Sequence, residues 1–271
     1  TLPNGSQISY CKNAVAINPH AVSPHETPVV LLHGIGATAR SWLLQLQATS
    51  PHTQRPVLAW DAPGYGNSTP LPVPHPLALD YAQALWAWLD VLGVTSVHLV
   101  GHSLGGLMAS SAAAMRPERV QALTLLAPAQ GFANASEAVR NQSRDDRILA
   151  MQKFGPAGVA AARSGLLVRD NATPEEKELA QQELSQMHVE GYAQATRMLS
   201  TADIRADLAQ FQAQSQALIQ FACGNLDGIT PPRGVEKLAS ALNAPYHSLG
   251  AVGHMCPFES PAPVNTLLGL G

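Results

Sequence analysis

Long apolar runs are missing from this sequence. Nothing in its 271 residues approaches the roughly 18–20 consecutive apolar positions of a membrane-spanning helix, so no membrane span is expected. Charge is sparse: 16 Lys and Arg stand against 19 Asp and Glu, a net charge of −3. With no basic stripe or Lys/Arg run, a nucleic-acid partner is not expected, and with no acidic tail neither is a disordered interaction arm. Cysteine is rare. Cys11, Cys223 and Cys256 are odd in number, and their spacing fits neither a metal knuckle nor a disulfide framework. They read as reduced thiols, which favours a reducing, cytoplasmic setting. The opening TLPNGSQISY lacks the charged-then-apolar pattern of a secretory leader, although it begins at Thr1 rather than Met. Internal repeats, low-complexity segments and metal, nucleotide or flavin motifs are also absent. GIGA (Gly34–Ala37) is neither a G-x-G-x-x-G nor a phosphate loop with Lys, so no cofactor and no metal are expected.

What is present is apolar and patterned. Hydrophobic residues make up 46% of the chain, enough for a sizeable core. Short apolar runs at Val29–Leu32 and Val57–Trp60, and mostly apolar ones at Val97–Val100, Ala122–Ala127 and Ala217–Cys223, predict buried strands, and Pro245–Leu249 a last one. Leu77–Leu92, Ser103–Met115 and Pro232–Leu242 predict helices between them. Strands alternating with helices imply βαβ units in a mostly parallel sheet, buried on both faces. The rhythm breaks across residues 129–214, which are rich in Ala, Gln, Glu and Arg. Amphipathic patterns there predict helices over Ala133–Phe154, Ala157–Leu167, Pro174–Met187 and Gly191–Leu199. The stretch is too long for one crossover and is expected to be a helical cap (129–214) on a core formed by 1–128 and 215–271.

The most informative segment is LVGHSLGGLM (Leu99–Met108). An apolar strand ends at Gly101-His102-Ser103-Leu104-Gly105, a G-x-S-x-G, and a small-residue helix follows. Turning a strand sharply into a helix crowds the backbone around the serine. Gly101 and Gly105, lacking Cβ, relieve the crowding. The serine is then held with its Oγ pointing into a site at a strand's carboxyl end, where parallel sheets bind ligands. The helix start behind it favours developing negative charge.

With these features the chain resembles the α/β-hydrolases over essentially its whole length. LLHGIGA (Leu31–Ala37), DAPGYGNS (Asp61–Ser68), GNLDGITPP (Gly224–Pro232) and GAVGHMCPFESP (Gly250–Pro261) resemble that family's other landmarks, in family order. The resemblance implies an α/β-hydrolase fold, a mostly parallel sheet flanked by helices with a helical cap inserted after the sixth strand. It also implies a nucleophile, acid and histidine in that order. Ser103 fits the nucleophile. His254 is the one histidine in a Gly-flanked loop beyond the last strand and fits the base. Asp227 fits the acid, because the rival position after Leu123–Ala127 reads Ala127-Pro128 and has no carboxylate. Asp61, in its D-x-P-G turn, is expected to be structural. The oxyanion of an acyl intermediate would take the backbone N–H groups of Leu104 and Ile35. His33 is expected to brace the oxyanion loop and His102 to pack or hydrogen-bond beside the elbow. His20, His25, His52 and His75, in Pro-rich loops, read as solvated, and His247 as structural.

The implied activity is hydrolysis of a small carboxylic ester or lactone through an acyl-enzyme. Haloalkane dehalogenases and most epoxide hydrolases share the fold but carry Asp at the nucleophile position, which Ser103 argues against. Serine members that cleave carbon–carbon bonds of ring-fission products, and non-hydrolytic receptors on this fold, stay open as alternatives. HVEGYAQATRML (His188–Leu199) is similar to a cap stretch of 3-oxoadipate enol-lactonases, although Ala62-Pro63 stand where those enzymes carry Arg. Substrate contacts are expected from Gly34, Gly36 and His102, and a substrate carboxylate could be held by Arg40, Arg163, Arg169 or Arg197. Met151, Phe154, Leu166, Leu167, Met187 and Met198 are the aliphatic and aromatic candidates for an apolar roof.

Overall fold

The computed structural model describes residues 1–18, 26–48 and 55–271. His20, His25 and His52 therefore lie outside the described residues. Seven strands form one sheet: β1 (Tyr10–Lys12), β2 (Val29–Leu32), β3 (Val57–Trp60), β4 (Val97–His102), β5 (Val120–Leu126), β6 (Leu218–Cys223) and β7 (Tyr246–Ser248). Their spatial order is β1-β3-β2-β4-β5-β6-β7. Only the β1–β3 pair is antiparallel. Every residue of β2, β3 and β4 is buried, as expected of parallel strands covered on both faces. The edge strand β1 was not expected: its Tyr-Cys-Lys alternates exposed and half-buried and carries no apolar run.

The helices are α1 (Leu43–Leu46), α2 (Ala78–Val91), α3 (Leu104–Met115), α4 (Glu137–Arg163), α5 (Pro174–Ser185), α6 (Val189–Thr201), α7 (Ile204–Gln212), α8 (Pro232–Ala241), α9 (Cys256–Glu259) and α10 (Pro261–Leu267). Helix α3 is buried from Leu104 to Ala114 and packs against β4, β5, α2 and α7. Its small side chains permit that closeness, and a Cβ on Gly105 would stand 2.2 Å from the Leu32 carbonyl oxygen.

One expectation is corrected. The helical insertion follows the fifth strand rather than the sixth, because among the described residues the N-terminal segment supplies β1 alone before β2. The helices read as 133–154 and 157–167 are both present, as the two limbs of α4 on either side of a break at Gly155-Pro156. Helix α4 starts at Glu137, where the Ser136 side chain accepts the Val139 N–H, and it bends where Gly155 takes φ 65° and ψ 178° ahead of Pro156. Helix α7 also went unread, because its Gln-rich nine residues show only Ile204, Leu208 and Phe211 as an apolar face. Those three join the main core around the sheet. A second apolar cluster gathers Met151, Val159, Ala160, Leu184, Met187 and Tyr192 from α4, α5, α6 and the turn after α5. Among the described residues no helix is long and apolar enough to cross a membrane.

Candidate active site

The chain runs from β2 outward to β3, then returns to place β4 on the other side of β2. Connections diverge there, and a crevice opens at the carboxyl ends of β2 and β4. The β2 end leads into His33-Gly34-Ile35 and the β4 end into Ser103. In register, Leu32 pairs with Gly101 and His102 with Leu126.

Ser103 sits at φ 52° and ψ −118°, a conformation a side chain rarely adopts. The surroundings fix it. Its N–H donates to the Leu126 carbonyl at 3.0 Å, and its own carbonyl accepts the Gly106 and Ala129 N–H groups, each at 3.0 Å. A Cβ on Gly101 would lie 2.6 Å from Gly106 Cα, which is the crowding the two glycines relieve.

Three side chains then meet in line. Ser103 Oγ lies 2.9 Å from His254 Nε2, and His254 Nδ1 lies 2.8 Å from Asp227 Oδ2. All three residues are buried. With Nδ1 against a carboxylate, the ring carries its proton there and leaves Nε2 free to accept from the serine. Asp227 Oδ1 accepts the N–H groups of Ile229 and Thr230 at 2.8 and 2.9 Å, and Oδ2 also accepts from Thr230 Oγ1 at 2.8 Å. Burial pushes the Asp227 carboxyl up, but hydrogen bonds from His254 and Thr230 outweigh it and hold the pKa below the ordinary value. The acid and histidine loops are tied to each other by Asn225 N–H to Gly250 O at 2.8 Å and Leu226 N–H to Val252 O at 3.0 Å.

His102 donates from Nε2 to the His254 carbonyl at 2.8 Å. Burial, reinforced by the neighbouring His254, lowers its pKa to about 3, so it stays neutral beside the triad. His33 donates from Nδ1 to the Gly34 carbonyl at 2.8 Å and accepts the Ala62 N–H at Nε2 at 3.0 Å, bracing the β2 loop against the β3 turn. Asp61 is structural, accepting from Ala39 N–H and Ser9 Oγ. His75 and His247 are exposed, the latter on β7. Among the described residues the N–H groups of Ile35 and Leu104 have no hydrogen-bond partner, and both residues line the cavity above Ser103.

That cavity holds about 220 Å³. Gly34, Gly36, His102 and Arg163 line it, whereas Arg40 is exposed and Arg197 donates instead to the Pro74 carbonyl at 3.0 Å. Arg169 pairs with Glu176 and Glu259. Of the apolar candidates, Leu167 and Met187 reach the cavity. Met151 packs in the second cluster, Met198 in the main core, and Phe154 and Leu166 are exposed. Three residues were not singled out from sequence. Thr230 touches both Asp227 and His254, Arg147 lines the cavity, and Glu259 accepts the Gly253 and Arg169 N–H groups at 2.9 and 3.0 Å. Sequence does not mark them, because the contacts that draw them to the site are tertiary: Thr230 to His254, Glu259 to Arg169, and Arg147 to the cavity. Among the described residues no three His, Cys, Asp or Glu side chains are grouped to hold a metal.

Known proteins resemble the chain throughout. It is 30% identical over 246 residues to the dihydrolipoyllysine-residue acetyltransferase component of an acetoin cleaving system from Pseudomonas putida, covering 88% of this chain but spanning only 61% of that one. A pimeloyl-[acyl-carrier protein] methyl ester esterase from Serratia marcescens is 30% identical over 253 residues, covering 87% of this chain and 89% of its own. Among solved structures, the enol-lactonase from Burkholderia xenovorans superposes with a TM-score of 0.80 at 21% identity, covering 98% and 97% of the two chains. The family model described as alpha/beta hydrolase fold matches residues 27–261, nearly the whole span from β2 to α10, and the chain belongs to that family.

Proposed function

We propose that this protein is a serine hydrolase that cleaves a carboxylic ester or lactone of a small molecule. The observation that carries the reading is the buried line from Ser103 Oγ through His254 to Asp227, opening on one cavity. A serine hydroxyl alone is a poor nucleophile at neutral pH and needs a base within hydrogen-bond reach, itself oriented by a third group. Ser103 Oγ attacks the substrate carbonyl carbon as its proton passes to His254 Nε2. Negative charge gathers on the carbonyl oxygen, where the N–H groups of Ile35 and Leu104 stabilise it; losing one such donor costs about 10²–10³ in rate. The carbon–oxygen bond of the ester breaks, and the leaving oxygen takes the proton from His254. Water then attacks the acyl-Ser103, giving a proton to His254, which returns it to Ser103 as the acid departs. The methyl ester esterase activity named for the Serratia marcescens relative agrees with this chemistry.

The insertion between β5 and β6 acts in this reading as the cap. Val159, Leu184 and Met187 give its cavity-facing wall an apolar part, and about 220 Å³ lies below the roughly 300–1,000 Å³ of drug-sized sites, which favours a small substrate over a polymer. The test is labelling with an organophosphonate followed by mass spectrometry, together with turnover of a short nitrophenyl ester. The adduct is expected on Ser103 and turnover is expected to vanish in Ser103→Ala. Adduct on another serine, or unchanged turnover in the variant, would overturn the assignment, and a receptor without catalysis would show no turnover at all.

A further inference from the structure

Arg147 and Arg163 belong to the two limbs of α4, before and after the bend at Gly155-Pro156. On a straight helix their Cα atoms would stand about 24 Å apart, at 1.5 Å per residue. Instead both line the cavity above Ser103. The bend depends on Gly155, whose φ of 65° and ψ of 178° lie in a region essentially reserved for glycine, while a Cβ there would meet nothing within 4 Å. The glycine is needed for its backbone angles and not for space.

Neither guanidinium has a carboxylate partner among the described residues. Arg119 and Arg144 each have one and Arg169 has two. Arg147 donates only to the carbonyl and hydroxyl of Ser143, one turn back on its own limb. The Arg163 side chain makes no hydrogen bond among the described residues. Tyr192, only 3% exposed, lines the same cavity and interacts with both arginines. Burial lowers the Arg147 pKa and Arg163 lowers it further, against Tyr192 and Asp146; two crowded cations of this kind gain from a bound anion. Burial raises the Tyr192 phenol, which therefore keeps its proton as a donor. The cavity's one lining carboxylate, Glu183, is occupied elsewhere: Thr38 Oγ1 donates to it at 3.0 Å, and the cation acting on it is Arg40.

We propose that Arg147, Arg163 and Tyr192 form a carboxylate-binding subsite, so that the substrate is a small ester or lactone bearing a second, free carboxylate. This rests on the hydrolase reading of Ser103. Planar guanidinium groups match a carboxylate bidentately, and charge-assisted hydrogen bonds in a sheltered site are the strong ones.

The test measures binding apart from turnover. Ser103→Ala protein is titrated calorimetrically with monomethyl glutarate and with its carboxamide analogue, which has the same shape without the charge. The acid is expected to bind at least roughly tenfold tighter. Adding Arg147→Gln or Arg163→Gln should cut acid binding by roughly tenfold or more and erase the discrimination, with thermal unfolding checking that each variant is folded. Arg147→Lys, which keeps charge but loses the fork, should fall between. Surface Arg205→Gln should leave the discrimination intact. Equal binding of acid and amide, no measurable binding of either, or discrimination that survives both glutamine variants would overturn the subsite. Turnover by the wild-type protein separates the two readings. Hydrolysis of acid and amide esters at equal rates would sink the subsite and keep the hydrolase; discriminating binding with no hydrolysis and no label on Ser103 would do the reverse.

Discussion

Replacing Thr230 by Val keeps the side chain's shape and removes one hydroxyl from the centre of the site. That hydroxyl lies 2.8 Å from Asp227 Oδ2, 3.0 Å from the Ala127 carbonyl and 3.2 Å from His254 Nδ1. It has a single proton, and the shorter contact to the anionic oxygen takes it. Its lone pairs then face the proton on His254 Nδ1. A hydrogen bond to a charged group contributes about 1.5–3 kcal/mol, and here the carboxylate is buried, so no water replaces the lost donor. Asp227 would keep Ile229 N–H, Thr230 N–H and His254. The expected result is a loss of roughly tenfold in kcat/KM, well short of the ~10⁴ that follows from losing the orienting carboxylate itself. Stability should change with it. A carboxyl held below its unfolded value of about 3.9 contributes stability above that pH and loses it as pH falls through the folded value. With one donor gone the folded value rises, so acid unfolding of Thr230→Val should begin at higher pH than in the parent. The assay pairs kcat/KM on a short nitrophenyl ester with acid unfolding followed by circular dichroism, for Thr230→Val and Thr230→Ser. Serine should restore most of both. A valine variant as active and as acid-resistant as the parent would refute the reasoning.

Other perturbations test other links. Gly224→Ala puts a Cβ 2.2 Å from the Val252 carbonyl oxygen, between the acid and histidine loops; it should cut kcat far more than it lowers Tm, and an unchanged kcat would show that the loops can part freely. Asp207, whose pKa burial and then Asp203 raise to about 6, is better tolerated protonated in the folded chain. Its contribution to stability is therefore full below about pH 4 and lost as pH rises through about 6, so Asp207→Asn should gain about 1–2 kcal/mol at pH 8 and almost nothing at pH 4 in urea unfolding. Equal gains at both pH values would point to a cause other than the charge. In a nitrophenyl-ester series from acetate to palmitate, kcat/KM should fall beyond about eight acyl carbons, since further methylenes no longer fit the cavity. A maximum at palmitate would rule out a closed pocket.

The landmarks that were legible in the sequence are those whose chemistry is local. Unbroken apolar runs mark β2 and β3, and mostly apolar ones β4 to β6, because a strand covered on both faces has little polar side to show. Gly101 and Gly105 mark the elbow because a turn that tight leaves no room for Cβ against Leu32 and Gly106. Asp227 and His254 stand in loops directly after strands, where the carboxyl ends of a parallel sheet converge. Tertiary structure alone decided which side chains meet once those loops arrive. Thr230 gains its role from the Ala127 carbonyl at the end of a neighbouring strand, 103 residues away. Glu259 gains its role by holding the Gly253 and Arg169 amides together. Arg40, Arg169 and Arg197 looked equivalent to Arg163 as charges on polar segments, and Arg147 did not stand out at all. What separates them is the bend at Gly155, which turns two distant points of one helix toward one cavity while leaving the other arginines to solvent, carbonyls or carboxylates. Spacing along a chain fixes which face a residue takes on its own element, but the company that face keeps depends on the angle at which elements cross, and no local pattern encodes that angle.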